Sequence, residues 1–234
     1  MKRVFALSLV FLLAAVAFAY HRARIAGRDA RRAERLVGEG DRALRAGKLE
    51  LRQASLAYSE ALRSNPEEAR ALLGLARVRF RSSGTVWAAL PYYLKAADLA
   101  AAESRPPGPA DVKIAATLTA AGDDNLAAAG LDVTFLGPAL DAYVAAAIAD
   151  HAAAGPYLGI ARVLTRLGHD PYAALRYYRE AVRRTPYQPQ IHYELARRYR
   201  KLGALGPALE HARAAGSLPG AAELVEQIEA ELNR

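Results

Sequence analysis

Small and apolar residues recur along most of this chain at the spacing of one face of a helix, and one pattern of residues repeats. From about Ala33 onward, an alanine is followed four residues later by a tyrosine and seven residues later by a second alanine. The first alanines of successive copies are 35, 50, 35 and 34 residues apart, and a fifth copy, at Ala208, has alanine in place of tyrosine. The four tyrosines are Tyr58, Tyr93, Tyr143 and Tyr178. Because small residues around a large one let helices approach closely, the pattern predicts an all-α fold of consecutive helix pairs without a sheet.

Glycines precede the first alanine by five to seven residues in four copies, where a tight turn between paired helices is expected. They are Gly47, Gly84, Gly168 and Gly203. The period and these positions resemble the tetratricopeptide repeat, a helix-turn-helix unit of about 34 residues. The resemblance covers about 180 residues and implies a tetratricopeptide-like α-solenoid of about five repeats. The tryptophan that the family has in its first helix is absent, and the lone Trp87 falls near a turn.

The repeats are expected in two blocks, with repeats 1 and 2 at residues 33–101 and repeats 3 to 5 at residues 138–218. Residues 102–137, between the blocks, are diverged and fit either a degenerate repeat or an insertion. Residues 219–234 have an apolar stripe opposite acidic residues, which predicts a capping helix that covers the last apolar face of the array.

The N-terminus has a different pattern, because residues 4–20 form an uncharged run of 17 residues. Residues 1–20 are therefore predicted to be a single hydrophobic helix, either an uncleaved membrane anchor or a signal segment cleaved after Ala17-Phe18-Ala19. Residues 21–32 form a basic juxtamembrane neck. More arginines follow the apolar run than precede it, so the positive-inside rule favours a single-pass membrane protein with its solenoid on the cytoplasmic side rather than the periplasmic side.

Charge and motifs exclude several classes of function. The net charge of +8 is concentrated in the first 32 residues, which carry seven basic residues and one acid, so no nucleic-acid binding is expected from the repeats. The absence of cysteine excludes disulfides, thiolate metal sites and a cysteine nucleophile. No nucleotide-binding, hydrolase, metalloprotease or complete calcium-loop motif is present. The sequence therefore predicts no catalytic residues, no metal and no cofactor.

One charged region is a candidate binding site. Residues 97–155 carry eight acidic and two basic residues, whereas residues 156–213 carry four acidic and eleven basic residues. In the tetratricopeptide family the first helices line a concave peptide-binding surface. The resemblance implies that basic side chains of two such helices face it here, namely Arg162, Arg166, Arg197, Arg200 and Lys201. They are expected to bind an acidic or carboxylate-ended segment of a protein or peptide partner, and the alternative is an ordinary solvated arginine face.

These observations favour a membrane-tethered scaffold or adaptor, attached to the membrane through the N-terminal helix, that binds partner proteins through its concave face without catalysis. Two alternatives remain open at this point. One is an exported periplasmic adaptor for envelope or secretion assembly, and the other is a non-catalytic regulatory subunit of a membrane enzyme complex.

Overall fold

The computed structural model describes the backbone of residues 2–130, 132–168, 170–216 and 218–233. Within those ranges it describes the side chains of Ala19, Arg24 and residues 26 onward. The described residues form eleven α-helices and no strand, which confirms the predicted all-α fold. The helices are α1 (Lys2–Ala46), α2 (Leu51–Ser64), α3 (Ala69–Ser83), α4 (Val86–Ala102), α5 (Pro109–Ala128), α6 (Leu136–Ala149), α7 (Ala154–Leu167), α8 (Pro171–Arg184), α9 (Pro189–Lys201), α10 (Leu205–Ala214) and α11 (Ala221–Leu232).

The helices pack as consecutive pairs, in which the C-terminal part of α1 pairs with α2, α3 with α4, α5 with α6, α7 with α8 and α9 with α10. Short turns separate the members of a pair. Gly84 ends α3 and Gly168 ends α7, with φ angles of 72° and 63°. This left-handed conformation is costly for residues with a Cβ, which is why glycine recurs at these turns.

The first alanines and the tyrosines of the repeated pattern form the core. Ala54, Tyr58 and Ala61 of α2 are fully buried, as are their counterparts in α4, α6 and α8 to within a few per cent. At the C-terminal end α11 packs against α10, with Leu224 and Ile228 buried against the alanines of α9 and α10. The last apolar face of the array is thereby covered.

The regular stacking is interrupted between the second and third pairs. Residues 102–137 contain α5, which pairs with α6 and so forms the first helix of a pair. In a regular array α5 would also pack against α3 and α4, but here α6 takes that place. A connection over residues 103–108, rich in proline, carries the chain to the start of α5.

This interruption divides the array into two similar units of four helices, α1–α4 and α5–α8. Tyr58 and Tyr143 are 85 residues apart, and the same separation relates Arg77 to Arg162 and Arg81 to Arg166. Some contacts repeat as well, since Arg81 and Arg166 each donate to a backbone carbonyl of the first helix of their own unit. The pair α9–α10 and the helix α11 follow the second unit.

The predicted membrane segment requires a correction. The anchor or signal predicted at residues 1–20 lies almost entirely outside the residues whose side chains are described. Helix α1 continues without a break through the basic neck into the first repeat, and its described side chains are frequently charged. In the part of the chain that the structure describes, no helix is both long and apolar enough to cross a bilayer. The prediction of a single-pass membrane protein is therefore wrong.

Candidate partner-binding groove

A groove of about 390 Å³ lies between α7 and α9, and we call it the basic groove. Most of its lining residues belong to α7 and α9, and Leu126 of α5 and Tyr178 of α8 complete the lining. Among the described lining residues there are five cations and one carboxylate, Glu194. The cations are Arg162, Arg166, Arg197, Arg198 and Lys201.

The structure brings together four of the five residues predicted from the sequence. The exception is Arg200, which donates a hydrogen bond to Glu231 at 2.6 Å and another to Gln227. Arg200 therefore joins α9 to α11 instead of lining the groove. Arg198 lines the groove but was not predicted, because the family positions that identified its neighbours do not include it.

Arg162 is already paired within the protein. Its Nε and Nη2 donate to the two carboxylate oxygens of Glu194 at 3.0 and 2.6 Å, in the forked geometry that arginine and a carboxylate prefer. Burial alone would raise the pKa of Glu194, but hydrogen bonds from Arg162 and Gln190 outweigh burial and hold that pKa below its usual value. The charge of Arg162 is thus largely compensated, and the pair holds α7 against α9.

The tyrosines of the repeated pattern take part in the same kind of contact. The hydroxyl of Tyr178 donates to Glu194 at 3.3 Å, so tyrosine and arginine share one carboxylate. The corresponding side chains of the first unit, Tyr93 and Arg77, share Asp141 of α6: Tyr93 donates to it at 3.1 Å and Arg77 pairs with it at 2.8 Å. Because Arg77 and Arg162 are equivalent in the two units, this tyrosine–carboxylate–arginine arrangement is a repeated structural element of the array.

Arg166 has a different partner, a backbone carbonyl. Its Nη1 donates to the carbonyl oxygen of Leu126 at 2.7 Å, and Arg81 donates to the carbonyl of Leu44 at 2.6 Å in the first unit. Leu126 and Leu44 lie in the last turns of α5 and α1, where carbonyls lack an intrahelical donor. A neutral acceptor leaves the positive charge of Arg166 uncompensated.

The remaining cations have no carboxylate partner among the residues that the structure describes. Arg197 lies with its guanidinium 5.9 Å from the centre of the Tyr193 ring, an arrangement typical of a cation–π contact. Arg197 and Lys201 are exposed, and Arg198 is half-buried. Together with Arg166 they give the basic groove a positive potential that Glu194 does not neutralise, since Glu194 is paired with Arg162.

No protein-family model and no curated protein matches the sequence. Among solved structures, the chain is similar to PilF of Pseudomonas aeruginosa, with 19% identity, a TM-score of 0.40 and coverage of 88% of this chain and 86% of that one. It is similar to TTC0263, a thermophilic TPR protein of Thermus thermophilus, with 20% identity, a TM-score of 0.37 and coverage of 86% and 100%. PilW, a type IV pilus biogenesis factor, has 18% identity, a TM-score of 0.38 and coverage of 86% and 91%. The consecutive packed helix pairs of the chain themselves define its all-α fold.

Proposed function

We propose that the chain is a scaffold or adaptor of the tetratricopeptide type that binds a partner protein through the basic groove and performs no catalysis. The observation that carries this proposal is the set of four groove cations without a carboxylate partner among the described residues. If the arginines of this chain served mainly in internal ion pairs, few arginines without a carboxylate partner would be clustered in one depression.

The chemistry of the groove favours an acidic or carboxylate-ended segment as the partner. Arg166, Arg197 and Arg198 offer planar donor groups that suit carboxylates, and the exposed Lys201 adds a further positive charge. Charge-assisted hydrogen bonds contribute about 1.5 to 3 kcal/mol each when partly buried, and less at an exposed rim. Arg162 and Arg200 act indirectly in this proposal, because they fix α9 against α7 and α11.

The proposal is tested with a fluorescein-labelled peptide of about twelve residues that carries several glutamates and a free terminal carboxylate. Binding is measured by fluorescence anisotropy at several salt concentrations. Reversing Arg197 and Lys201 to glutamate should weaken binding about tenfold or more, because two attractive contacts become repulsive. It should also remove most of the dependence of affinity on salt.

The matched control is Lys48→Glu with Arg52→Glu, which makes the same change in net charge on exposed residues far from the groove. The control should bind the peptide within about twofold of the unmodified chain, as expected for distant exposed charges. Equal weakening in both double variants would mean that only net charge matters. The four cations would then be an ordinary solvated face.

A further inference from the structure

A second depression, of about 330 Å³, adjoins the basic groove where the two four-helix units meet. We call it the junction pocket. Its walls are mostly apolar, and they come from the turn between α3 and α4, the start of α6 and the end of α7. The apolar lining residues are Phe80, Val86, Trp87, Val133, Leu136 and Leu167.

The junction pocket is a consequence of the interrupted stacking. Because α6 packs against α3 and α4 in place of α5, the segment before α6 crosses the ends of α3 and α7. Asp132 accepts a hydrogen bond from the backbone of Thr134 at 2.9 Å and so begins a short 3-10 turn, Val133–Phe135. A Cβ on Gly137 would collide with the ring of Phe80, so glycine there lets the ring form one wall.

Two large apolar side chains of this pocket are open to solvent. Val133 is 73% exposed and Trp87 is 51% exposed. Exposed apolar groups gathered around a depression are typical of a surface that is covered in a complex. The pocket is also large enough for one bulky side chain, since ligand pockets commonly begin at about 300 Å³.

Arg166 connects the two depressions, because it lines both the basic groove and the junction pocket. The carbonyl of Leu126 holds its guanidinium in place. A bound segment with a carboxylate at Arg166 would therefore have its neighbouring residues beside the apolar walls. Because the two depressions are continuous, a segment whose charge complements the basic groove would lie next to the pocket. Such a segment is therefore the occupant that the pocket suits best.

We infer that the junction pocket binds an aromatic or branched aliphatic side chain of the same acidic partner segment. This inference rests on the proposed function and adds the partner's apolar residue to it. The partner motif is then an extended stretch with carboxylates at one end and one bulky apolar residue at a fixed distance from them. An apolar anchor surrounded by polar contacts is the usual arrangement of a binding hot spot.

The test is a selection of random twelve-residue peptides displayed on phage, with the full chain as the target. Three variants are selected in parallel: Val133→Glu, the groove double variant with Arg197→Glu and Lys201→Glu, and the control Val112→Glu. Val112 is an exposed apolar residue of α5 outside both depressions, 45% exposed. Circular dichroism of each variant checks that the helices are retained, which is expected because every substituted residue is exposed.

The unmodified chain and Val112→Glu should enrich peptides with acidic residues and a bulky apolar residue at one spacing. Val133→Glu should retain the acidic positions and lose the apolar one, whereas the groove variant should lose the acidic positions. In anisotropy measurements, replacing the apolar residue of the best peptide by alanine should weaken binding at least fivefold to the unmodified chain. The same replacement should change binding to Val133→Glu by less than twofold.

The other outcomes separate the two proposals. Enrichment of acidic residues without an apolar position would overturn the junction pocket inference and leave the basic groove standing. No acidic preference, with equal selection by the groove variant, would overturn both. Light scattering gives the mass of each protein in solution. If the unmodified chain were a dimer and the Val133→Glu variant a monomer, the pocket would be covered by a second copy, which also overturns the inference.

Discussion

At the scale of single residues, the fit between tyrosine and glycine decides how closely the helices approach. Tyr143 of α6 lies where Gly122 of α5 and Gly159 of α7 have no side chain, and Tyr58 lies in the same way between Gly40 and Gly74. A Cβ added to Gly122 would come within 2.6 Å of the Tyr143 ring. The aromatic ring thus replaces the missing side chains of both neighbouring helices.

We expect Gly122→Ala to destabilise the protein by about 2 kcal/mol, because overpacking a dense core forces the ring or the backbone to move. Urea unfolding followed by circular dichroism measures the change. The matched control is Gly38→Ala in α1, where an added Cβ meets no atom within 4 Å. The free energy of unfolding of the control should rise by about 0.5 to 1 kcal/mol, since alanine is a better helix former than glycine. If the two variants gave equal stabilities, the tyrosine ring would not be tightly confined.

The repeated tyrosines could be predicted from the sequence, but their hydrogen-bond partners could not. Tyr58 donates to Asp41, 17 residues before it, whereas Tyr93 donates to Asp141, 48 residues after it. The partner depends on which helix packs next to the tyrosine. Alanine-rich helices allow several neighbours, so the residue pattern alone leaves this choice undetermined.

At the scale of helices, the pair of Arg162 and Glu194 fixes α9 against α7. We expect Glu194→Gln to cost about 1 to 3 kcal/mol near neutral pH, because Arg162 would lose its ionic partner in a half-buried position. The folded-state pKa of Glu194 is lowered, so its contribution to stability is present above the unfolded pKa and is lost as pH falls through the folded pKa. The difference between the variant and the unmodified chain should therefore be constant above about pH 5 and shrink at lower pH.

Urea unfolding at a series of pH values measures this difference directly. Glu229→Gln is the control, since Glu229 pairs with Arg213 at 2.7 Å on an exposed surface. The control should cost at most about 1 kcal/mol, as exposed ion pairs usually do. A difference for Glu194→Gln that persists unchanged at low pH would show that packing, and not ionic pairing, accounts for the loss.

In the candidate site, the residues that share one helix face could be predicted from the sequence, but the contacts between different helices could not. Arg162 and Arg166, like Arg197 and Lys201, are four residues apart on one helix, so each pair shares a face as expected. The ion-pair partner of Arg200 lies 31 residues away on α11, and that of Arg162 lies 32 residues away on α9. Such partners follow from the angle between packed helices, which residue spacing within one helix does not specify.

At the scale of the whole molecule, the 50-residue interval in the repeated pattern becomes intelligible. The interval marks the boundary between two units of four helices. Helix α5 lies at this boundary and is longer than α3, α7 and α9, which are also first helices of pairs. The sequence indicated the irregular segment at residues 102–137 but left open whether it was a repeat. In the structure this segment contains α5, which pairs with α6, and α6 joins the units by packing against α3 and α4.

The buried tyrosines are expected to make the array sensitive to alkali. Six of them have raised pKa values, chiefly because burial disfavours the phenolate and, at most of them, because a neighbouring carboxylate adds to the effect. They are Tyr58, Tyr93, Tyr143, Tyr157, Tyr177 and Tyr178. For Tyr157, where Arg184 opposes the shift, burial still raises the pKa to about 12. The stability that depends on these neutral phenols is complete below the unfolded pKa and is lost as pH rises toward the folded values.

Above about pH 10, each tyrosine that ionises only in the unfolded chain lowers the free energy of unfolding by about 1.4 kcal/mol per pH unit up to its folded pKa, and the contributions of several such tyrosines add. A protein of ordinary stability would unfold within about two pH units. We therefore expect helical circular dichroism and the absorbance of tyrosinate to change together in one steep alkaline transition. A gradual rise in tyrosinate with the helices intact would mean that the tyrosines reach solvent without unfolding. Repetition of one neutral phenol through successive helix pairs thus makes loss of a few protons a cooperative event for the whole chain.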